Sequence, residues 1–288
     1  MWAFLAVATA LLTSLNPLLY KRLVRDGDPV AVVWGVTLAA LPLLGLFAWL
    51  LTPQLPAVDW LFVAGVAGSG LLNAAAHIAN TRALKEADIS LVTPLLNFSP
   101  VFTVIIAAVF LNEIPSVQGL LGVSLVLVGA YRLNRGKGGW LAPLRALALT
   151  PGVALVMLAG LLWAVTPLFE KLAIQHTYPQ SPRAAAFAAT AVLVALLTPP
   201  VLWARRPALA QLVRHRRVWL AAGAIAGTAP ILGYTAISLG LVGYVTTLFK
   251  LSSVMTVLWA WLLLKEPGIR QRLPAAAVMV AGAILIAI

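Results

Sequence analysis

Cysteine is absent from the chain, and acidic side chains are scarce, with only eight Asp and Glu among 288 residues. Without a thiol there is no disulfide framework, no thiolate nucleophile and no thiolate metal site. The three histidines, His77, His176 and His215, stand far apart and show no ligand spacing, so neither a metal nor any other cofactor is expected. Charged residues of both signs make up only 10% of the chain, against roughly 25% in soluble domains. The polar surface that would keep such a chain in water is missing. No glycine-rich phosphate loop follows a strand, and no acid/base pair or nucleophile constellation emerges, which disfavours an enzyme.

What is present is apolar: 62% of the residues are hydrophobic, and mean hydropathy is +0.99. The runs match the roughly 18 to 25 residues that cross a bilayer. Between turn signals they fall near 2–20, 29–51, 58–80, 88–111, 117–133, 151–173, 183–203, 218–239, 241–264 and 273–288. The expected fold is therefore an all-α integral membrane protein of ten transmembrane helices, seated in the cell (inner) membrane with the lipid bilayer as its partner. Met1 to Tyr20 lacks a basic leader and a small-residue exit, and it reads as the first span rather than a signal peptide. The net charge of +12 is topological rather than a nucleic-acid signature, because Lys and Arg collect in cytoplasmic loops.

The two halves repeat. Laying Ala87–Glu113 over Gly240–Glu266 matches ten of 27 residues, including Thr93 with Thr246, Ser99 with Ser252, Thr103 with Thr256 and Glu113 with Glu266. Polar matches of this kind do not follow from a shared apolar composition. "LLTSLNPLLYK" (11–21) likewise aligns with "LLWAVTPLFEK" (161–171). The expected organisation is a first repeat at 1–133, a basic linker at 134–150 and a second repeat at 151–288. Five helices per repeat is odd, so the copies must enter the membrane in opposite directions. The loops after spans 1, 3, 5, 7 and 9 hold 17 Lys and Arg, whereas the other loops between spans hold 2. That alternation is what an inverted-topology repeat predicts, and it places both termini outside.

The segment "ALKEADISLVTPLLNFSPVFTVIIAAVFLNEIPSVQGLLGVSLVLVGAY" (83–131) resembles the EamA-type repeat of the drug/metabolite transporter superfamily. It has the Ala-Leu entry, the Pro-Val-Phe-Thr helix, the Leu-x-Glu exit and a glycine-spaced last helix. The second half is a weaker copy, with Ser253-Val254-Met255-Thr256 in place of Pro-Val-Phe-Thr. The resemblance covers essentially the whole chain and implies a transporter of ten helices. It says little about substrate, since relatives move amino acids, drugs, sugars or phosphorylated metabolites. Relatives are commonly drawn with termini inside, and the charge pattern of this chain argues the reverse.

Inverted repeats place a substrate cavity near the midplane. There the candidate binding residues are Lys250, its repeat counterpart Asn97, and Thr246 on the same span. Lys250 lies about ten residues into its span, roughly 15 Å deep at 1.5 Å per residue, and a lysine at that depth is costly. A structural lysine bonded to helix-end carbonyls is the bland alternative. Asn73, His77 and Asn80 form a polar stripe on span 3 that either lines a cavity or bonds neighbouring helices. Trp163 and Thr166 on span 6 and Tyr234 on span 8 offer an amphipathic lining. Trp219 reads as an interface anchor, and Glu113 as a solvated turn residue capping the next helix. All eight acids read as loop or span-end residues, so a cationic substrate is disfavoured and an anionic or zwitterionic one favoured. Glycines in spans 3 and 5 imply close helix packing, and the glycine-spaced spans 5 and 10 suit a peripheral position or a homodimer contact. The function expected is secondary active transport of a small organic metabolite by alternating access. The rival is a non-transporting membrane scaffold or a subunit of a lipid-modifying complex.

Overall fold

The computed structural model describes residues 1–52, 54–86, 99–134, 151–204, 213–264 and 269–288. Its helices are α1 (Trp2–Thr13), α2 (Asn16–Asp26), α3 (Pro29–Leu51), α4 (Trp60–Glu86), α5 (Ser99–Phe110), α6 (Val117–Asn134), α7 (Pro151–Gln175), α8 (Pro182–Ala204), α9 (Arg216–Leu239), α10 (Val242–Phe249), α11 (Ser252–Leu264) and α12 (Ile269–Ala287). Two short strands, β1 (Ala57–Val58) and β2 (Thr177–Tyr178), pair antiparallel. Seven helical stretches have the length and composition to cross a membrane, and three shorter helices at Ser99–Phe110, Val117–Leu133 and Arg272–Ala287 are equally apolar. The chain is an all-α membrane protein. Asn97, Glu266 and residues 135–150 of the expected linker lie outside the described residues.

Local chemistry explains the boundaries. Asp28 caps α3 by accepting hydrogen bonds from the Val30 and Ala31 amides at 3.0 and 3.1 Å, and Asp59 caps α4 through Leu61 and Phe62 at 2.9 and 3.1 Å. The first span is not one helix: it breaks at Ser14–Leu15, and Pro17 opens α2. Proline has no amide hydrogen to continue α1, and its ring crowds the preceding turn. Pro167, its counterpart, sits inside the continuous α7. The ninth span is also two segments. Lys250 and Leu251 donate their amides to Thr247 and Leu248 at 3.0 Å, three residues back, which tightens the helix between α10 and α11.

Packing pairs the halves. α6 lies along α12, α5 against α10, α3 against α8, α4 against α7 and α1 against α9. Exchanging each expected span with the one five places later maps this set of contacts onto itself. The closest approaches need glycine: a Cβ on Gly122 would come within 2.7 Å of the Gly282 carbonyl oxygen, and one on Gly282 within 2.6 Å of the Gly122 oxygen. The glycine faces of the fifth and tenth spans are therefore used against each other, inside one chain. Large apolar side chains such as Phe4, Trp49, Phe110 and Trp203 stay three-quarters or more exposed, as a lipid-facing surface requires. The Trp219 indole donates to the Gly35 carbonyl at 2.7 Å, locking α9 onto α3.

Candidate functional site

The most extensive helix pairing, α4 on α7, also carries polar side chains. Gly65 permits it, since a Cβ there would sit 2.7 Å from the Ala173 amide and 2.9 Å from the Phe169 carbonyl oxygen. One turn further along α4, Ser69 and Asn73 stand four residues apart and so share a face. Asn73 Nδ2 donates to Ser69 Oγ at 3.4 Å, and Ser69 Oγ lies 3.4 Å from Tyr234 Oη of α9. Glu170 of α7 is half-buried beside the side chains of Tyr234, Asn73 and Ser69. Ser69 is fully buried and Tyr234 nearly so.

Glu170 corrects the reading that every acid lies in a loop or at a span end. α7 runs on to Gln175, and Glu170 lies beside Ser69 and Asn73, which are central in the apolar stretch Trp60–Ala83. Helical side chains lean toward the N-terminus, so Glu170 points from its backbone deeper into the apolar layer.

Further along the same interface, His77 and Trp163 meet edge to face, with ring centroids 5.2 Å apart and planes at 80°. The Thr81 hydroxyl donates back to the His77 carbonyl. Asn80 Oδ1 is buried with no hydrogen-bond partner among the described residues. The structure thus brings Asn73, His77, Trp163 and Tyr234 to one seam between α4, α7 and α9, and adds Ser69 and Glu170.

Lys250 belongs to a second group. It is half-buried at the tightened junction between α10 and α11. Thr246, one turn earlier, directs its hydroxyl to the Gly243 carbonyl of its own helix at 3.1 Å. A Cβ on Gly233 of α9 would touch the Phe249 ring at 3.5 Å. The junction that carries Lys250 therefore packs near the α9 segment that carries Tyr234. The expected Lys250–Asn97 pairing falls on residue 97, outside the described residues.

A cross-half ion pair stands at one face beside this layer. Lys171 Nζ pairs with Glu113 Oε1 at 2.9 Å and donates to the Gly240 carbonyl at 3.0 Å. Both side chains are nearly buried, 13% and 10% exposed. Glu113 Oε2 accepts the Val242 amide at 2.6 Å. Glu113 therefore caps α10 of the other half, not the next helix; a carboxylate at a helix N-terminus also complements its dipole. Alongside, His176 Nδ1 meets Asp59 Oδ2 at 2.7 Å, and this bond holds the Asp59 carboxyl below its ordinary range. The β1–β2 pairing crosses the same face. A cavity of about 510 Å³ opens beside Lys171, lined also by Trp2, Ser116, Gly240 and Tyr244.

Sequence alone underrated Glu170 because it sits beside Lys171 near the end of an apolar run, where an acid–base couplet resembles a solvated helix terminus. The usable signal was the repeat alignment, which sets Glu170 opposite Tyr20 within a helix, three residues past the matched prolines.

A duplicated set of apolar helices enclosing a polar seam defines a polytopic α-helical membrane protein of transporter type. The model of the EamA-like transporter family matches twice, over residues 1–135 and 150–288, and the chain belongs to that family. An uncharacterized transporter in the cobO 3′ region of a Sinorhizobium species is 31% identical over 140 residues, covering 46% of this chain and 93% of the relative. A solved crystal structure shares the fold with a TM-score of 0.70 at 20% identity, over 98% of this chain and 95% of that one.

Proposed function

We propose that the protein is a secondary active transporter of a small zwitterionic or anionic organic solute, built as ten transmembrane helices in two inverted five-helix repeats. The observation that carries this reading is the polar seam itself: Ser69 and Asn73 come from the first half, Glu170 and Tyr234 from the second. A polar layer shared between halves is where rocking of one half against the other alternates exposure of a solute. Lys250, at the α10–α11 junction packed near α9, supplies a positive charge for a carboxylate or phosphate. The face with the Lys171–Glu113 pair is the outer one under the positive-inside rule. With no nucleotide-binding motif, the driving force is an ion or solute gradient, or exchange.

Purified protein in sealed liposomes tests the reading. A panel of radiolabelled amino acids, carboxylates and phosphorylated metabolites should include at least one solute with saturable flux, and Lys250→Met should abolish most of it while leaving thermal stability at or above the parent's. Empty-liposome rates for every solute would refute transport; a destabilised methionine variant with full flux per folded molecule would remove Lys250 from the site.

A further inference from the structure

We infer that the matched prolines of the first and sixth spans mark two exchanging hinges: in this conformation span 1 is bent at Ser14–Leu15 and span 6 is straight, and in the opposite-facing one span 6 bends at Ala164–Val165 while span 1 straightens. This rests on the transport reading above and deepens it.

Two threonines tie these hinges across the halves. Thr103 of α5 donates its hydroxyl to the Ser99 carbonyl of its own helix and to the Ala164 carbonyl of α7, both at 3.1 Å. Thr256 of α11 does the same to Ser252 at 2.8 Å and to Ser14 at 2.7 Å. The repeat pairs Thr103 with Thr256 and Ser99 with Ser252, and it pairs Ala164 with Ser14, each three residues before its proline. One contact is therefore built twice, each half gripping the first span of the other at the turn that proline weakens. A hydroxyl carries one hydrogen, shared here between its own helix and the other half, so the cross-half share can lapse without leaving the donor unpaired.

The two copies of this joint stand in different states. In span 1 the Leu18 amide turns to the Leu15 carbonyl at 3.2 Å, which releases the Ser14 carbonyl to Thr256, and the Trp259 indole donates to Ser14 Oγ at 2.9 Å. In span 6 the helix continues through Pro167, the Thr166 hydroxyl donates back to the Leu162 carbonyl at 2.8 Å, and the cross-half tie is the longer one. Asn16, the counterpart of Thr166, keeps its Oδ1 buried with no hydrogen-bond partner among the described residues. An unmet buried acceptor is costly, which disfavours the bent form of span 1 against a straight one. Inverted repeats are related by an axis in the membrane plane. Exchanging the conformations of two such joints therefore turns the molecule over with respect to the membrane, which is what alternating exposure needs.

Paired spin labels read both joints, since the chain has no cysteine of its own. Positions 4 and 22 are exposed and flank the hinge of span 1; positions 158 and 175 are exposed and flank that of span 6. Distances within each pair are measured by double electron–electron resonance on the full chain in liposomes. Pro17→Ala restores the missing amide, so span 1 should straighten and the 4-to-22 distance lengthen. Exchange requires the 158-to-175 distance to shorten in the same variant, although the substitution lies in the other half. Thr256→Val keeps the side-chain shape, loses the shorter tie and should raise the exchanged population about three- to tenfold, the worth of one hydrogen bond. Adding Thr103→Val, which loosens the same tie in the exchanged state, should bring the ratio back. A 158-to-175 distance that stays unchanged in both Pro17→Ala and Thr256→Val would overturn the exchange and leave Pro17 a fixed kink; if the proline variant does not fold, the valine variant alone decides. A Thr103→Val addition that pushes the ratio further the same way would overturn it too. Liposome flux separates the two levels: coupled distances with no flux of any solute keep the hinges and sink the transport reading, whereas flux with uncoupled distances does the reverse.

Discussion

Removing Lys171 tests whether the face that carries the Lys171–Glu113 pair is held by charge. The pair is nearly buried and each member has a second bond, Lys171 to the Gly240 carbonyl and Glu113 to the Val242 amide. Breaking a buried pair from one side costs about 3–5 kcal/mol, mostly from the charge left behind. In Lys171→Met that orphan is Glu113, which keeps the Val242 amide and the α10 N-terminus, so the lower end, about 3 kcal/mol, is expected. For a chain of this size that corresponds to a melting temperature lower by roughly 6 °C or more. The double variant Lys171→Met with Glu113→Gln removes both charges, and the glutamine carbonyl still accepts the Val242 amide. It should recover about 2 kcal/mol of the loss, a coupling within the usual range for contacting residues. The assay is thermal unfolding in one detergent for parent, both single variants and the double. Additive losses, with the double variant no better than Lys171→Met alone, would refute the claim that the two charges act as a pair. The same variants report on the cycle: because the pair joins the two halves, its loss should raise labelling of a Ser116→Cys reporter beside the cavity.

Gly122→Leu should lower stability by about 1–3 kcal/mol or prevent folding, since the Gly282 backbone leaves no room for a side chain; Leu121→Met on the exposed side of α6 should be silent in the same melt. Asp59 is held below its ordinary value of 3.8 by His176. Its contribution is therefore full above the ordinary carboxylate range and is lost as pH falls through the depressed value. Acid melts should show that loss in the parent and not in Asp59→Asn. Single cysteines are unambiguous in this cysteine-free chain: an impermeant maleimide should label position 55 and not position 213 in intact cells, and the opposite pattern would invert the topology.

Much of this was legible in the residues. The all-α membrane class followed from run length against bilayer thickness, and the duplication followed from matched Thr, Ser and Glu in otherwise apolar segments. Asn73, His77, Trp163 and Tyr234 share a seam because residues four apart on α4 face one direction. What escaped was anything set by tertiary partners. Glu113 caps a helix 129 residues away in sequence, and Trp219 bonds Gly35 across 184; neither partner leaves a local trace. The break at Lys250 was hidden because a tightened turn needs no proline or glycine.

The reciprocal contact of Gly122 with Gly282 has a mechanical consequence. Each backbone rests on the other's carbonyl, with no flexible side chain between them to absorb sliding. Such a joint tolerates rotation about the touching point far better than separation or shear. If the remaining walls swing to admit a solute from alternate sides, α6 and α12 are the natural fulcrum: the spine that stays closed in every state, and against which the lever arms of the two halves turn.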